Sequence, residues 1–286
     1  MFMKISVLVQ GGLGNQLFQI AWANYLVRKY QYNVEINLQL LYSQSQHASI
    51  NFSQLIGKVP LLSVSKEKLI MLDDRLSSKI IRKSLRILGV HSIPNILLHD
   101  YDALTDFEHC NKMANYRYQF GYFQFIEAAI FSRDIFLSNM RSIHGEFIKK
   151  CESEFFERHY VGIHIRRGDF IKSTDPLHLA TGIDYIKKSI KKFNNRNFIV
   201  FSDDIGWCRD KLGESDGIVY FSGNSAIEDF IGLMCCKDFI LSGSTFSWWA
   251  AILSLNENTR VVIPNSKAQF MSIEANTRIG WDFEVV

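Results

Sequence analysis

The sequence predicts an α/β protein built on parallel sheets, and three observations lead to that fold class. Short apolar runs of strand length alternate with segments of helical periodicity along much of the chain. Glycine or small polar residues follow these runs where each would end as a strand. With 47% hydrophobic and 21% charged residues, the chain of 286 residues can bury a large core. Global disorder is therefore excluded, and the length allows one large domain or two modest ones.

The first half opens with a strand, a glycine-rich turn and a helix. The apolar run Lys4–Gln10 ends at Gly11, and a helical pattern follows in which Phe18 and Trp22 share one face. Residues 34–38 form the next predicted strand. This order is the usual opening of a parallel α/β unit.

The middle of the chain is patterned less clearly. From about residue 42 to residue 114, the main signal is a basic amphipathic helix over 79–88. Beyond it, four aromatic residues alternate and are predicted to share one face of a strand. They are Tyr116, Tyr118, Phe120 and Tyr122. A further helix is predicted over 146–156.

The second half alternates strands and helices regularly. The predicted strands are Val161–Ile165, Phe198–Phe201, Ile218–Phe221, Phe239–Leu241 and Arg260–Ile263. Helices are predicted over 184–193 and through 248–253, and Ser225 with Glu228 forms a capping box for another. Such alternation predicts a parallel sheet, in which ligands bind beyond the carboxyl ends of the strands.

The strongest candidate site follows the strand Val161–Ile165. Side chains alternate along a strand, so His164 and Arg166 are predicted to point to the same side. Arg167 follows directly, and Asp169 comes after a glycine turn. Two guanidinium groups at the end of a strand suit a diphosphate, because their forked donors pair with phosphate oxygens. The alternative is an exposed turn in which Asp169 simply pairs with an arginine.

Two other segments are less specific. The turn at Gly11 matches neither a full dinucleotide fingerprint nor a phosphate-binding loop of the Walker type, and it could be purely structural, with Asn15 capping the helix. Ser244 and Thr245 open a helix directly after a strand, which favours an anion site formed by backbone N–H groups. An ordinary helix cap is the alternative there.

No metal or cofactor is predicted. Asp100 and Asp102 form a D-x-D pair, the type of carboxylate pair that holds a divalent cation in many nucleotide-sugar enzymes. No evident strand precedes them, and the pair Asp73 and Asp74 is a weaker candidate. Two arginines can neutralise a departing diphosphate without a cation.

Charge and cysteine content exclude some classes of protein. The 32 Lys and Arg residues against 29 Asp and Glu residues give a net charge of +3, too balanced to predict nucleic-acid binding. The five cysteines include no C-x-x-C pair, which argues against a zinc ribbon or a disulfide framework. The N-terminal apolar run is too short for a signal sequence or a membrane span. A cytoplasmic protein is expected.

Taken together, the motifs resemble those of the bacterial α-1,2-fucosyltransferases of glycosyltransferase family 11. The segments that carry the resemblance are Gly11–Gln19, Gly121–Gln124, His164–Asp169, Phe201–Asp204 and Ser242–Trp249. Each is weak alone, but five in the family's order are specific. The third matches an H-x-R-R-x-D signature shared with α-1,6- and protein O-fucosyltransferases.

The resemblance implies a GT-B fold, in which two Rossmann-like halves face each other across a cleft. Residues 1–155 would form the acceptor-side domain and residues 156–286 the GDP-fucose-binding domain. The implied reaction is metal-independent, inverting transfer of L-fucose from GDP-β-L-fucose to the 2-OH of a β-galactoside in a glycan such as a polysaccharide or O-antigen.

The family's functional residues carry over by position. Arg166 would bind the β-phosphate, while His164 and Asp169 would fix the donor and that arginine. Asn15 would reach across the cleft toward the diphosphate and the sugar, and Asp229 would bind the guanine edge. The remaining implied donor contacts are Arg167, Ser202, Asp203, Ser244, Thr245 and Phe246. The implied acceptor-side residues are Gln16, Tyr122 and Gln124.

Several alternatives stay open at this stage. The general base could be a carboxylate, a histidine or the departing phosphate, and His164 is the titratable candidate near neutral pH in the signature. Rival functions are a GDP-sugar transferase of another linkage, a non-catalytic glycan- or nucleotide-binding module, and a nicotinamide oxidoreductase that uses Glu35.

The basic helix predicts a further partner. Lys79, Arg82, Lys83 and Arg86 beside an apolar stripe favour weak peripheral contact with anionic lipid at the inner membrane face, where a lipid-linked acceptor would reside. A solvated helix face is the alternative.

Overall fold

The chain divides into two compact units, residues 1–139 and 140–286. The computed structural model describes residues 4–43, 51–65, 67–69, 76–88, 90, 92–98, 112–113, 115–172, 182–214, 217–254, 258–266 and 268–286. Helix α5, Ile126–Cys151, contains the boundary between the units. The functional boundary expected after residue 155 stays a prediction.

The first unit is built around a six-stranded sheet in the order β3-β2-β1-β6-β5-β4. Its strands are β1 Ile5–Leu8, β2 Val34–Asn37, β3 Ser63–Val64, β4 Ser92–Ile93, β5 Ile96–Leu98 and β6 Tyr118–Phe120. Its helices before α5 are α1 Leu13–Tyr30, α2 Gln39–Ser43, α3 Phe52–Ile56 and α4 Leu76–Ile87. The neighbouring strands are parallel except β4 and β5.

The second unit contains a fully parallel sheet in the order β12-β11-β10-β7-β8-β9. Its strands are β7 Val161–Ile165, β8 Phe198–Ser202, β9 Ile218–Tyr220, β10 Asp238–Ile240, β11 Arg260–Ile263 and β12 Asp282–Val285. Its helices after α5 are α6 Ile183–Ile190, α7 Ile205–Leu212, α8 Ala226–Met234, α9 Thr245–Ile252 and α10 Ile273–Ile279.

Strand β7 shows why this sheet is buried on both faces. Ile163 and Ile165 belong to one core cluster that also includes Ile186 of helix α6 and Cys208 of helix α7. Gly162 faces the other side, against helix α8. Helices on both faces and the outward winding from a central strand define a Rossmann-like unit. The GT-B class of α/β fold predicted from the sequence is confirmed.

Two local predictions need correction. The aromatic stretch forms only the short strand β6, and Tyr116 and Tyr122 lie outside this strand. The neighbouring strand β5 is three residues long, so the ladder between β5 and β6 ends after three residue pairs. Asn15 does not cap helix α1, because the helix already begins at Leu13 and Gly12 holds the extended N-cap position.

Two other helices have different bounds in the structure from those predicted from the sequence. The helix predicted over 146–156 is the end of the longer α5, followed by one turn of π-helix, Glu152–Phe156. The one predicted over 184–193 ends at Ile190. Among the described residues, no helix combines the length and apolar character needed to cross a bilayer.

The close packing of β7 on α8 gives a test of the second unit. A Cβ added at Gly162 would lie 2.7 Å from Leu233 Cδ1 and 2.9 Å from Cys236 Sγ. We expect Gly162→Ala to lower the free energy of unfolding by about 1–3 kcal/mol, because both contacts are in a packed core. At Gly217 an added Cβ meets no atom of the described residues within 4 Å, so Gly217→Ala is the matched control and should be neutral or slightly stabilising. Equal melting temperatures for both variants would contradict this packing.

Candidate functional site

The candidate site lies at the point where the winding of the second sheet reverses. From β7 the chain proceeds to β8 and β9 on one side, then returns to β10 on the other side of β7. A crevice forms at such a switch point beyond the carboxyl ends of the strands, and nucleotides bind there in Rossmann-like folds. The loops that follow β7, β8 and β10 carry Arg166, Asp203 and Ser244, so the sheet brings the predicted residues together.

Arg166 is held between two carboxylates. Its Nη2 donates to Asp169 Oδ1 at 2.7 Å, and its Nη1 lies 2.7 Å from Asp203 Oδ2. The guanidinium also lies 5.4 Å from the centroid of the Phe170 ring, and its side chain is 31% exposed. The two carboxylates fix the orientation of the fork while part of it stays accessible to a ligand.

Glycine at position 168 allows Asp203 to come this close. A Cβ on Gly168 would lie 2.6 Å from Asp203 Oδ2. The other carboxylate oxygen, Oδ1, accepts a hydrogen bond from the backbone N–H of Arg167 at 2.9 Å. The Ser202 hydroxyl donates to the Ile165 carbonyl at 2.8 Å, so it ties the ends of β7 and β8 together. Ser202 and Asp203 therefore act on the arginine loop itself.

Arg167 turns away from Arg166 and anchors the loop. Its Nε donates to Asp204 Oδ2 at 3.2 Å, and its guanidinium lies 3.7 Å from the centroid of the Trp207 ring. The other Asp204 oxygen caps helix α7 by accepting from the Trp207 N–H at 3.1 Å. Arg167 thus links the end of β7 to the start of α7.

His164 spans the switch point. It is buried, its Nδ1 lies 2.6 Å from the hydroxyl of Ser242 beyond β10, and its ring stacks on Phe246 with centroids 5.2 Å apart. Burial and the neighbouring charge of Arg166 lower the pKa of His164 to about 3. The imidazole is neutral at physiological pH, which avoids a second positive charge beside Arg166.

Phe246 connects this histidine to the start of helix α9. Ser244 is the N-cap of α9 and accepts a hydrogen bond from the Phe246 N–H at 3.3 Å, so the helix begins with Thr245. On its far side, Phe246 packs edge-to-face on Phe230 of helix α8, with centroids 5.2 Å apart. The first N–H groups of α9 therefore lie beside the histidine and the switch point.

Helix α8 adds a carboxyl group with unsatisfied hydrogen-bonding capacity. The predicted capping box is present: the Ser225 N–H donates to Glu228 Oε2 at 2.7 Å, and the Glu228 N–H donates to the Ser225 hydroxyl at 3.3 Å. Asp229 follows, and its Oδ1 is shielded from solvent and accepts no hydrogen bond within the described part of the chain. Burial, and then the charge of Glu228, raise the pKa of Asp229 to about 7. Such an oxygen is a natural acceptor for a ligand N–H.

In the first unit, β1 and β6 are adjacent, and the loops that follow them meet. Gly11 has a φ of +78°, and an added Cβ there would lie 3.2 Å from Tyr122 Cε1, so glycine is required at this position. The Gln124 amide lies 3.5 Å from Asn15 Oδ1. The glycine loop and the aromatic motif, more than 100 residues apart in sequence, thus form one polar edge of the sheet.

Gln16 has a different position from the one implied by the resemblance. Its side chain is fully buried, its Nε2 donates to the Gly11 carbonyl at 2.8 Å, and its Oε1 accepts from the Phe52 N–H at 2.9 Å. Both ends of the amide are therefore engaged inside the unit. Gln16 positions the loop that carries Asn15.

Three residues important for these arrangements were not singled out in the sequence. Ser242 holds His164, and Asp204 holds Arg167. Gln19 accepts from the Gln10 N–H at 2.9 Å and donates to the Gly121 carbonyl at 2.8 Å, which ties the two loops of the first unit. Each lies within a matched motif, but its partner depends on the tertiary fold.

Within the described ranges, no group of three or more His, Cys, Asp or Glu side chains is arranged to hold a metal ion. Asp100 and Asp102, like Asp73 and Asp74, lie outside the described residues. Metal independence stays a prediction.

These features define an α/β protein with a candidate ligand site at the switch point of its second sheet, and comparison with known proteins identifies the family. The family model described as glycosyl transferase family 11 matches residues 4–285. The chain belongs to this family.

The similarity to known proteins extends over most of the chain for one relative and over about a third of it for two others. The *Escherichia coli* O-antigen biosynthesis glycosyltransferase WbnK is 27% identical over 284 residues, which cover 90% of this chain and 92% of the relative. An *E. coli* alpha-1,2-colitosyltransferase is 39% identical over 103 residues, 32% of this chain and 36% of the relative. *Mus musculus* galactoside 2-alpha-L-fucosyltransferase Sec1 is 35% identical over 105 residues, 33% of this chain and 28% of the relative. The matched parts of the last two relatives are thus about a third of their lengths.

A solved structure supports the fold. An alpha-1,6-fucosyltransferase, NodZ, crystallised with GDP, matches with a TM-score of 0.53 and 16% identity. The match covers 89% of this chain and 93% of NodZ. At 16% identity, this similarity shows a shared fold alone.

The different surroundings of the two arginines give a test. We expect Arg167→Ala to lower the free energy of unfolding by about 1–2 kcal/mol, because it removes a cation–π contact and leaves Asp204 without its cation. Arg209→Ala is the matched control: Arg209 also lies over an aromatic ring, that of Tyr220 at 4.5 Å, but at an exposed position. Urea unfolding of both variants and the parent measures the difference. An Arg167→Ala variant as stable as the parent would show that this residue does not anchor the loop.

Proposed function

We propose that the chain transfers L-fucose from GDP-β-L-fucose to the 2-OH of a β-galactoside, with inversion at the anomeric carbon. The observation that carries this proposal is the position of Arg166, a partly exposed guanidinium fixed by two carboxylates at the nucleotide-binding switch point. Membership of family 11 and the α-1,2 linkage named for two of the relatives support it.

In this reaction the acceptor oxygen attacks the anomeric carbon as the bond from that carbon to the phosphate oxygen breaks. Negative charge then grows on the β-phosphate of the departing GDP. A fixed guanidinium at that phosphate stabilises the transition state more than the ground state. Arg166 is the residue that we propose for this role, with Asp169 and Asp203 as its positioning partners.

The acceptor hydroxyl must also lose its proton. We propose that His164 is not the base, because a pKa lowered to about 3 makes its imidazole weakly basic and Ser242 engages its Nδ1. We propose that His164 instead fixes the donor site through Phe246. The departing phosphate or a carboxylate then takes the proton.

The remaining donor contacts follow from the surroundings of Phe246. We propose that the N–H groups at Ser244 and Thr245 bind phosphate and that Phe246 lines the nucleotide pocket. Asp229 is proposed to accept hydrogen bonds from the N–H groups of the guanine edge, because its Oδ1 accepts none within the described residues. Asn15 remains the proposed donor-binding residue of the first unit.

The proposed acceptor rests on fewer observations than the proposed donor. Tyr122 and Gln124 stay the proposed acceptor-side residues, and the relative named for O-antigen biosynthesis favours a polysaccharide acceptor. A second candidate is α-1,2 transfer of colitose, favoured by the 39% identity to a colitosyltransferase. Parallel assays with GDP-fucose and GDP-colitose, using lactose and N-acetyllactosamine as acceptors, distinguish the two.

The donor class can be tested by thermal protection. We expect GDP and GDP-fucose to raise the melting temperature, because they bind only the folded chain, whereas UDP, UDP-sugars and NAD should not. GDP release with GDP-fucose should also depend on the acceptor, which a binding module would not require. An equal shift with UDP-sugars would contradict the fucosyltransferase assignment, and a shift with NAD alone would favour an oxidoreductase.

The pKa of Asp229 gives a pH test of guanine binding. Guanine N–H groups donate to the ionised carboxylate, so a group with a raised pKa must first lose its proton. Affinity for GDP should therefore increase between about pH 5.5 and pH 8, and Asp229→Asn should flatten the part of the increase that is due to this carboxyl. Isothermal titration across this range measures it, with Asp282→Asn at an exposed position as the control. If Asp229→Asn retains both the parental affinity and the parental pH profile, Asp229 does not bind the base.

Metal independence is tested directly with a chelator. Because positive charge at the candidate site comes from arginine, we expect the initial rate to be nearly unchanged in EDTA. The double variant Asp100→Asn, Asp102→Asn should react at the parental rate. Added Mn²⁺ should not change that rate. A rate that is abolished by EDTA and restored by Mn²⁺ would overturn the prediction.

A further inference from the structure

Helix α4 exposes the face that an amphipathic helix usually buries. The side chains of Ile80, Ile81 and Leu88 are 55%, 47% and 75% exposed. The side that carries Ser78 and Arg82 attaches the helix: Ser78 is buried, and the Arg82 guanidinium lies 5.1 Å from the centroid of the Phe120 ring. The side chains of Ile80, Ile81 and Leu88 therefore face solvent.

Helix α6 of the second unit is the internal comparison. Its apolar and polar residues are separated as strongly as those of α4, but Ile186 is fully buried in the core. The outward orientation of α4 is thus not a consequence of amphipathicity alone. Exposed apolar side chains grouped on one helix face mark a surface that binds a membrane or another molecule.

Charge identifies the kind of surface that fits. The helix carries Lys79, Arg82, Lys83 and Arg86 and no acidic residue over 76–87. Lys83 is exposed, and on a helix it lies three residues from Ile80, at the edge of the apolar stripe. An exposed apolar face with a cation at its edge matches the boundary between the headgroups and the acyl chains of an anionic bilayer.

We propose that the exposed face of α4, formed by Ile80, Ile81, Lys83 and Leu88, is a peripheral docking surface for anionic lipid. The apolar side chains insert at the acyl boundary while Lys83 contacts the headgroups. Binding through one short helix is weak and reversible, and it weakens as salt screens the charges. This proposal does not depend on the identity of the donor or the acceptor.

Sedimentation of the full chain with vesicles tests the proposal. We expect binding at low salt to equimolar phosphatidylcholine and phosphatidylglycerol, and much weaker binding to phosphatidylcholine alone. The double variant Ile80→Ser, Ile81→Ser should lower partitioning about tenfold or more. Lys83→Glu should lower it by at least about tenfold, because it reverses a charge near the surface.

Two matched variants control for general effects on apolar area and charge. Ile273→Ser removes an exposed isoleucine from helix α10, and Lys187→Glu reverses an exposed lysine on α6. Both should bind vesicles like the parent, and melting temperatures check that all variants fold. The proposal is overturned if the parent does not bind anionic vesicles, or if the α4 variants bind as well as the controls. It is also overturned if sedimentation velocity shows a dimer that the Ile80, Ile81 variant dissociates, since the face would then bind a second copy.

Discussion

The ion pairs of Arg166 with Asp169 and Asp203 are the interaction on which the candidate site depends. They bring together the loop after β7 and the end of the neighbouring strand β8, and both distances are 2.7 Å. Such a network at a partly exposed position contributes little to stability, because solvent weakens the attraction. Its value lies in orientation: the fork is held in one place before a phosphate arrives, so little reorganisation is required on binding.

Neighbouring residues of the second unit are compatible with the positive charge of Arg166. A charged His164 beside Arg166 would be repelled, and burial keeps the imidazole neutral, so it serves as a hydrogen-bonding partner of Ser242. This contact crosses the switch point between β7 and β10, and the stacked Phe246 extends it to the start of helix α9. In the same unit, burial and then the charge of Glu228 disfavour ionisation of Asp229.

Local pattern was sufficient where neighbours in sequence decide the structure. The capping box predicted at Ser225 is present with both of its hydrogen bonds. Pattern failed where distant partners decide. The burial of His164 and the engagement of Gln16 by Phe52 depend on packing between separate elements. The amphipathic pattern of α4 is the same whether its apolar face is buried or exposed, so only the fold shows that Ile80 is exposed.

Turnover of Arg166 variants at saturating GDP-fucose and acceptor tests the central claim most directly. Lysine keeps the charge but loses the two-pronged geometry, so Arg166→Lys and Arg166→Ala should both lower kcat by at least roughly 100-fold. Their melting temperatures should stay close to that of the parent, because Arg166 is partly exposed and outside the core, and Arg209→Lys should keep parental turnover. If Arg166→Lys retains near-parental kcat, Arg166 does not stabilise the leaving diphosphate.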